Sequence, residues 1–223
     1  MRRILFALGV LFFVCASVAA RQPVYLFPEF VVGHIEFHDR SHADVKLNFD
    51  ALGQKILYYD GETLMEMTNL PMVKILEAAD RVFVVKEGLL CEVFDRPGGP
   101  VLVNWRFRQV NKGSKGAMGI PTQGKVEAMR ISPYDFTAVD ATNPDLIQGT
   151  YLADVWGKEN ANIYFISIGG KTYRLRSERD LLKKFPVQAS QMKAFIKEHH
   201  LSFYKLEDVL KMLDQLHALT DQQ

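Results

Sequence analysis

The chain has 223 residues, with 27 Lys and Arg against 26 Asp and Glu, a formal charge of +1. Nucleic-acid binders carry a strong basic excess, so this balance excludes that class, and it provides no general attraction to anionic membranes.

Met1, Arg2 and Arg3 make a short positive start, residues 4–14 are apolar apart from Gly9, and Val18-Ala19-Ala20 supplies small side chains for signal peptidase. The apolar run is shorter than the roughly 20 residues of a membrane span, and the pattern predicts a cleavable signal peptide over residues 1–20. Cleavage leaves Arg21 first and turns the charge to −1, since Arg2 and Arg3 depart. Phe12, Phe13 and Val14 precede Cys15 and fit a lipid-attachment site poorly, so Cys15 belongs to the leader. A single cysteine then remains, Cys91, and one thiol makes no intramolecular disulfide. No second apolar run reaches spanning length, so no transmembrane span is expected after cleavage. The expected location is the periplasm, the outer-membrane face or the medium.

From residue 30 the pattern turns to strands. Val31, Gly33, Ile35 and Phe37 alternate with His34, Glu36 and His38, and Ala43, Val45, Leu47 and Phe49 repeat the period, as half-buried strands do. Residues 55–59 and 64–67 make further strands across an Asp60-Gly61 turn. Residues 69–79 read as a short helix or an irregular crossing. Residues 81–86 and 89–94 form a hairpin at Glu87-Gly88, and residues 101–110 make one long strand with Val101, Val103, Trp105 and Phe107 on one face. Residues 111–149 are loop-rich, broken by Ser132-Pro133 and Asn143-Pro144. Strands resume at 150–156, and residues 162–168 and 171–175 pair across Gly169-Gly170. Ser177-Glu178-Arg179-Asp180 is a capping pattern that opens a helix, which Phe185-Pro186 stops. A second helix covers residues 187–199, and a third carries Leu206, Val209, Leu210, Leu213 and Leu216 at helical spacing. Strands followed by helices predict an α+β fold: a mainly antiparallel meander, as a sandwich or partly open barrel, over residues 21–176, with C-terminal helices over 177–219 packed on it.

The first hairpin carries the most specific constellation. With Asp39 to Ser41 as a three-residue turn, His38 faces His42 and Glu36 faces Asp44. His34, Glu36, His38, His42 and Asp44 then share the polar face, with cross-strand Cβ atoms within about 5.5 Å. Imidazoles and carboxylates are the ligand set of zinc and similar divalent metals, and a cation between Glu36 and Asp44 would relieve their repulsion. A solvated polar face is the alternative. Arg106 and Arg108 form a basic stripe with Lys112 and Lys115, which also reads as a solvated face. The Gly-Lys loop of residues 112–119 lacks the spacing of a phosphate loop. Cys91 alternates with Leu89 and Val93 and reads as core. The stripe Leu206, Val209, Leu210 and Leu213 has to be buried on the sheet, on another helix or on a partner protein.

Several short motifs carry a resemblance: Leu26-Phe27-Pro28-Glu29-Phe30 with Gly33, Lys46-Leu47-Asn48-Phe49-Asp50, Arg81-Val82-Phe83-Val84, Gly116-Ala117-Met118-Gly119, and Lys171-Thr172-Tyr173 through Phe185-Pro186 to the last helix. In these the chain resembles a group of uncharacterised exported β-rich proteins of the Bacteroidota. That resemblance implies an envelope protein without an established active site, and His34, Glu36, His38 and His42 are not part of it. The expected role is a non-enzymatic binding or interaction module whose partner is another envelope protein. The alternative is a metal-dependent hydrolase built on the first hairpin.

Overall fold

The computed structural model describes residues 23–108, 150–151 and 160–221, so the expected leader and the loop-rich stretch 111–149 lie outside the described residues. Strands precede helices. β1 (Val24–Tyr25) leads into β2 (Val31–Phe37), β3 (His42–Asp50), β4 (Lys55–Asp60) and β5 (Thr63–Glu66). A 3-10 turn at Leu70–Met72 opens β6 (Val73–Ala78), followed by β7 (Arg81–Lys86), β8 (Leu89–Phe94) and β9 (Val101–Asn104). β10 (Thr150–Tyr151), β11 (Ile163–Ile168) and β12 (Lys171–Leu175) join the same sheet, and α1 (Glu178–Lys184), α2 (Ala189–Glu198) and α3 (Leu206–Thr220) end the fold.

The sheet order is β10-β1-β3-β2-β6-β7-β8-β9-β11-β12, with β4 and β5 branching from β3. Among the described residues every strand pair is antiparallel except β1 with β10. The fold is α+β, a meander followed by helices. Two-residue turns set much of the register. Glu87 and Gly88 have φ of 51° and 72°, and Gly169 and Gly170 have 57° and 74°, the left-handed pair that matches the twist of a tight hairpin. Ala79 and Asp80 make the same turn between β6 and β7 at φ of 49° and 58° without a glycine.

Among the described residues two large apolar cores result, beside a small cluster of Cys91, Ile163 and Phe165. The meander buries Ile35, Leu47, Phe49, Ile56, Val73, Leu76 and Phe83 together, and Phe107 closes the cluster. The second core lies between the sheet and the helices: Val101, Val103, Tyr164, Ile166 and Leu175 meet Leu181, Met192, Val209, Met212, Leu213 and Leu216. Trp105 packs against both large cores. Ser177 caps α1 as its pattern requires, its side chain accepting from the Asp180 N–H at 3.1 Å.

Two elements differ from the sequence reading. Residues 73–78 are a strand, not a helix or crossing. The pairing of β2 with β6 shifts register between Glu36 and Phe37, which leaves Lys74 as an extra residue. That bulge spaces the buried residues Val73 and Leu76 by three, which imitates a helical period. The long strand expected over 101–110 stops at Asn104. Beyond it the backbone takes side-chain and loop partners: Gln54 Nε2 donates to the Trp105 carbonyl at 2.8 Å, Arg106 N–H donates to Asn162 Oδ1 at 2.9 Å, and Phe107 N–H donates to the Ala51 carbonyl at 3.0 Å. The chain there crosses from one core to the other.

Candidate functional site

The first hairpin brings together four of the five residues expected to hold a metal, in a different register. The pairs are His34 with Asp44 and Glu36 with His42, two places from the expected alignment. The turn is His38-Asp39-Arg40, with Arg40 at φ 70°, and Phe37 N–H donates to the Ser41 carbonyl. A shift of two preserves which face each side chain takes, so Ile35 stays buried, but it removes His38 from the polar face. His34 Nδ1 lies 2.7 Å from Asp44 Oδ1, and the His34 and His42 rings stack at 5.4 Å. Glu36 faces His42, not Asp44, and its charge is met by Lys74 Nζ at 2.6 Å from the bulge of β6. The hydrogen bond that His34 gives to Asp44 raises the His34 pKa, and the one from Lys74 lowers that of Glu36. Among the described residues no group of three or more His, Cys, Asp or Glu side chains is placed to share a metal ion.

The stripe on α3 is not an open face. Val209, Leu210 and Leu213 are buried in the core beneath the sheet, and Leu206 is half-buried against it. Cys91 is buried, and burial pushes its thiol up to about 12, so it is no nucleophile at neutral pH.

A cleft of about 1260 Å³ opens where β9 ends, between the sheet, the start of α1 and the loop that joins α2 to α3. Among the described residues five cationic side chains line it, Arg106, Arg108, Arg176, Arg179 and Lys193, with Glu178 the single carboxylate. Amide side chains fix its floor. Asn162 Oδ1 holds the Arg106 N–H, Asn160 Oδ1 holds the Asn162 N–H at 2.8 Å, and Asn160 Nδ2 donates to the Tyr204 carbonyl at 3.0 Å. Gln54 spends its amide nitrogen on the Ala51 and Trp105 carbonyls and leaves Oε1 at 3.5 Å from Arg106 Nη2.

Arg106 is half-buried and pairs with no carboxylate among the described residues; its Nε is buried without a hydrogen bond. Burial pushes its pKa down, and Arg174 and Arg176 push it further. Of those two, Arg174 is paired with Glu87 at 3.1 Å. Asn162 is 2% exposed, and its Nδ2 has no hydrogen bond among the described residues. Burial pushes the Tyr164 hydroxyl up to about 12. The Asn160 and Asn162 side chains lie near enough to oppose that shift, but neither meets the hydroxyl with hydrogen-bond geometry.

Sequence reasoning found Arg106 and Arg108 as a basic stripe and missed their company. Arg176 and Arg179 come from the end of β12 and the start of α1, and Lys193 from α2. Lys112 and Lys115, the rest of the expected stripe, lie outside the described residues. The signal available was Arg174-Leu175-Arg176-Ser177-Glu178-Arg179, a basic cluster at a strand-to-helix junction. Compared with family models, with curated proteins and with solved structures, the chain matches none.

Proposed function

We propose that this chain is an exported envelope protein that works by binding and not by catalysis, and that the basic cleft is its binding surface. The leader-like N-terminus supports export. One observation carries the binding role: the described lining of the cleft gathers five cations around one carboxylate in a chain of net charge +1. Concave sites with a few convergent polar groups are the usual seats of ligands. The polar face of the first hairpin is a solvated, ion-paired surface in this reading.

Two measurements test it in the cells that make the protein. N-terminal sequencing of the envelope fraction is expected to begin at Arg21; an intact Met1 or a cytoplasmic protein overturns export. A photo-crosslinking residue at Tyr204, 51% exposed on the cleft rim, is expected to give adducts that the same residue at Val187, outside the cleft, does not. Equal adducts from both positions, or none from Tyr204, overturn the cleft as the binding surface.

A further inference from the structure

We infer that the cleft is an oxyanion site, in which Arg106 and Arg176 hold a carboxylate or phosphate group of the ligand. The inference rests on the reading of the cleft as the binding surface and gives that surface a chemistry. Three independent observations point to it.

The first is charge without counter-charge. Arg106, Arg108, Arg176, Arg179 and Lys193 make no ion pair among the described residues. Elsewhere in the fold the arginines that point into structure are paired: Arg81 with Glu92, Arg96 with Asp214, Arg174 with Glu87. A guanidinium withdrawn from water normally has such a partner, because the uncompensated charge is costly.

The second is placement. Arg106 is held from behind by Asn162 at its backbone N–H and approached by Gln54 Oε1 at one guanidinium nitrogen. The fork is thereby oriented while its Nε donor stays unsatisfied. Planar paired donors in fixed orientation suit the two oxygens of a carboxylate or phosphate. The third is Asn162 Nδ2, a buried donor without a hydrogen bond on the cleft floor. Donors left over on two side chains call for an acceptor from outside.

Near-neutral net charge favours a compact oxyanion over a polyanion. A nucleic-acid track needs basic residues spread along a face, whereas the five cations described here line one concave site.

Isothermal titration of the purified full chain at low salt, with inorganic phosphate and with citrate in separate runs, tests the site. Saturable binding of one equivalent is expected for at least one probe; phosphate alone identifies a phosphate ligand, and citrate alone a carboxylate. Arg106→Gln should weaken that binding roughly tenfold or more, the loss of one charge-assisted hydrogen bond. Arg106→Lys should not restore it, because an ammonium lacks the fork. Arg176 is exposed, so Arg176→Gln tests the site even if Arg106→Gln fails to fold. Lys74→Gln, far along the sheet on β6, should bind as the parent does. No saturable binding of either probe, or equal binding by Arg176→Gln and the parent, overturns the oxyanion site. Tyr204 adducts that persist in that case overturn this inference alone; anion binding without any Tyr204 adduct overturns the wider reading alone.

Discussion

Glu92 joins the two cores, and removing it should cost more than any exposed charge in the fold. Its carboxylate accepts from Arg81 Nε at 2.8 Å, from Arg81 Nη2 and from the Trp105 indole N–H. The Arg81 guanidinium lies over the rings of Phe27, Phe83 and Trp105 at 5.2, 5.4 and 5.2 Å. The Glu92 side chain is 8% exposed and that of Arg81 26%. Glu92→Ala leaves this cation among aromatic rings without its counter-charge. Breaking a buried pair in this way costs about 3–5 kcal/mol, and the partial exposure of Arg81 places the value near the lower end. At roughly 2–4 °C per kcal/mol for a domain of this size, the melting temperature should fall by about 6–12 °C. Equilibrium urea unfolding followed by tryptophan fluorescence gives the free energy, and a thermal melt the shift. Arg81→Met combined with Glu92→Leu should be more stable than Glu92→Ala alone, since neither charge is then stranded. A cost for Glu92→Ala under about 0.5 kcal/mol, or a double variant weaker than that single one, would refute the reasoning.

Three other perturbations probe different parts of the fold. A Cβ on Gly98 would sit 2.3 Å from the His217 ring of α3 and 2.5 Å from the His217 Cβ, so Gly98→Ala should destabilise by about 1–3 kcal/mol, and His217→Ala, which keeps that Cβ, should not relieve the clash; denaturant melts decide it. Ala79-Asp80 occupies a left-handed turn without glycine, so Ala79→Asn with Asp80→Gly should add about 1 kcal/mol in the same assay, and a loss would contradict the turn assignment. The Asp44 hydrogen bond raises the His34 pKa above its ordinary 6.5. The stability it supplies is therefore full below pH 6.5 and lost as pH rises through the raised folded value. Proton NMR should find His34 titrating above 6.5 and returning toward it in Asp44→Asn; a parent value at or below 6.5 counts against the contact.

The architecture was legible because period-two alternation survives wherever a strand has one buried face. Glu87-Gly88 and Gly169-Gly170 fixed two hairpins, and Ser177 marked the start of α1. What failed was register and continuity. At the first hairpin, turns over residues 38–40 and 39–41 leave every side chain on the same face, so alternation could not choose between them. The choice falls to Arg40, which takes the left-handed conformation where a glycine would normally have announced it. In β6 the bulged Lys74 hid a strand behind a spacing of three. Both errors touched the candidate metal site: the shifted pairing carried His38 away, and the unseen strand supplied the lysine that neutralises Glu36.

The cleft escaped sequence reading for a related reason. It forms where backbone ladders stop, and its side chains come from segments far apart in the sequence, with Gln54, Arg106 and Asn160 each more than 50 positions from the next. Alternation reports burial within one strand and is silent on what two strand ends bring together. The same interruption that ends β9 at Asn104 hands the next backbone groups to Gln54 and Asn162. Gln54 thus meets both the crossing between the cores and the Arg106 guanidinium, while Asn162 holds the Arg106 backbone. Asn162→Leu should separate bracing from anion binding. It removes the acceptor for the part-buried Arg106 N–H, which costs about 1–3 kcal/mol, and it frees the backbone that carries the guanidinium. If Asn162 only braces the backbone, anion affinity in the folded variant will equal that of the parent. If it also serves the anion, by positioning Arg106 or through its own Nδ2, phosphate or citrate affinity will fall in protein that still melts cooperatively, and the brace-only account fails.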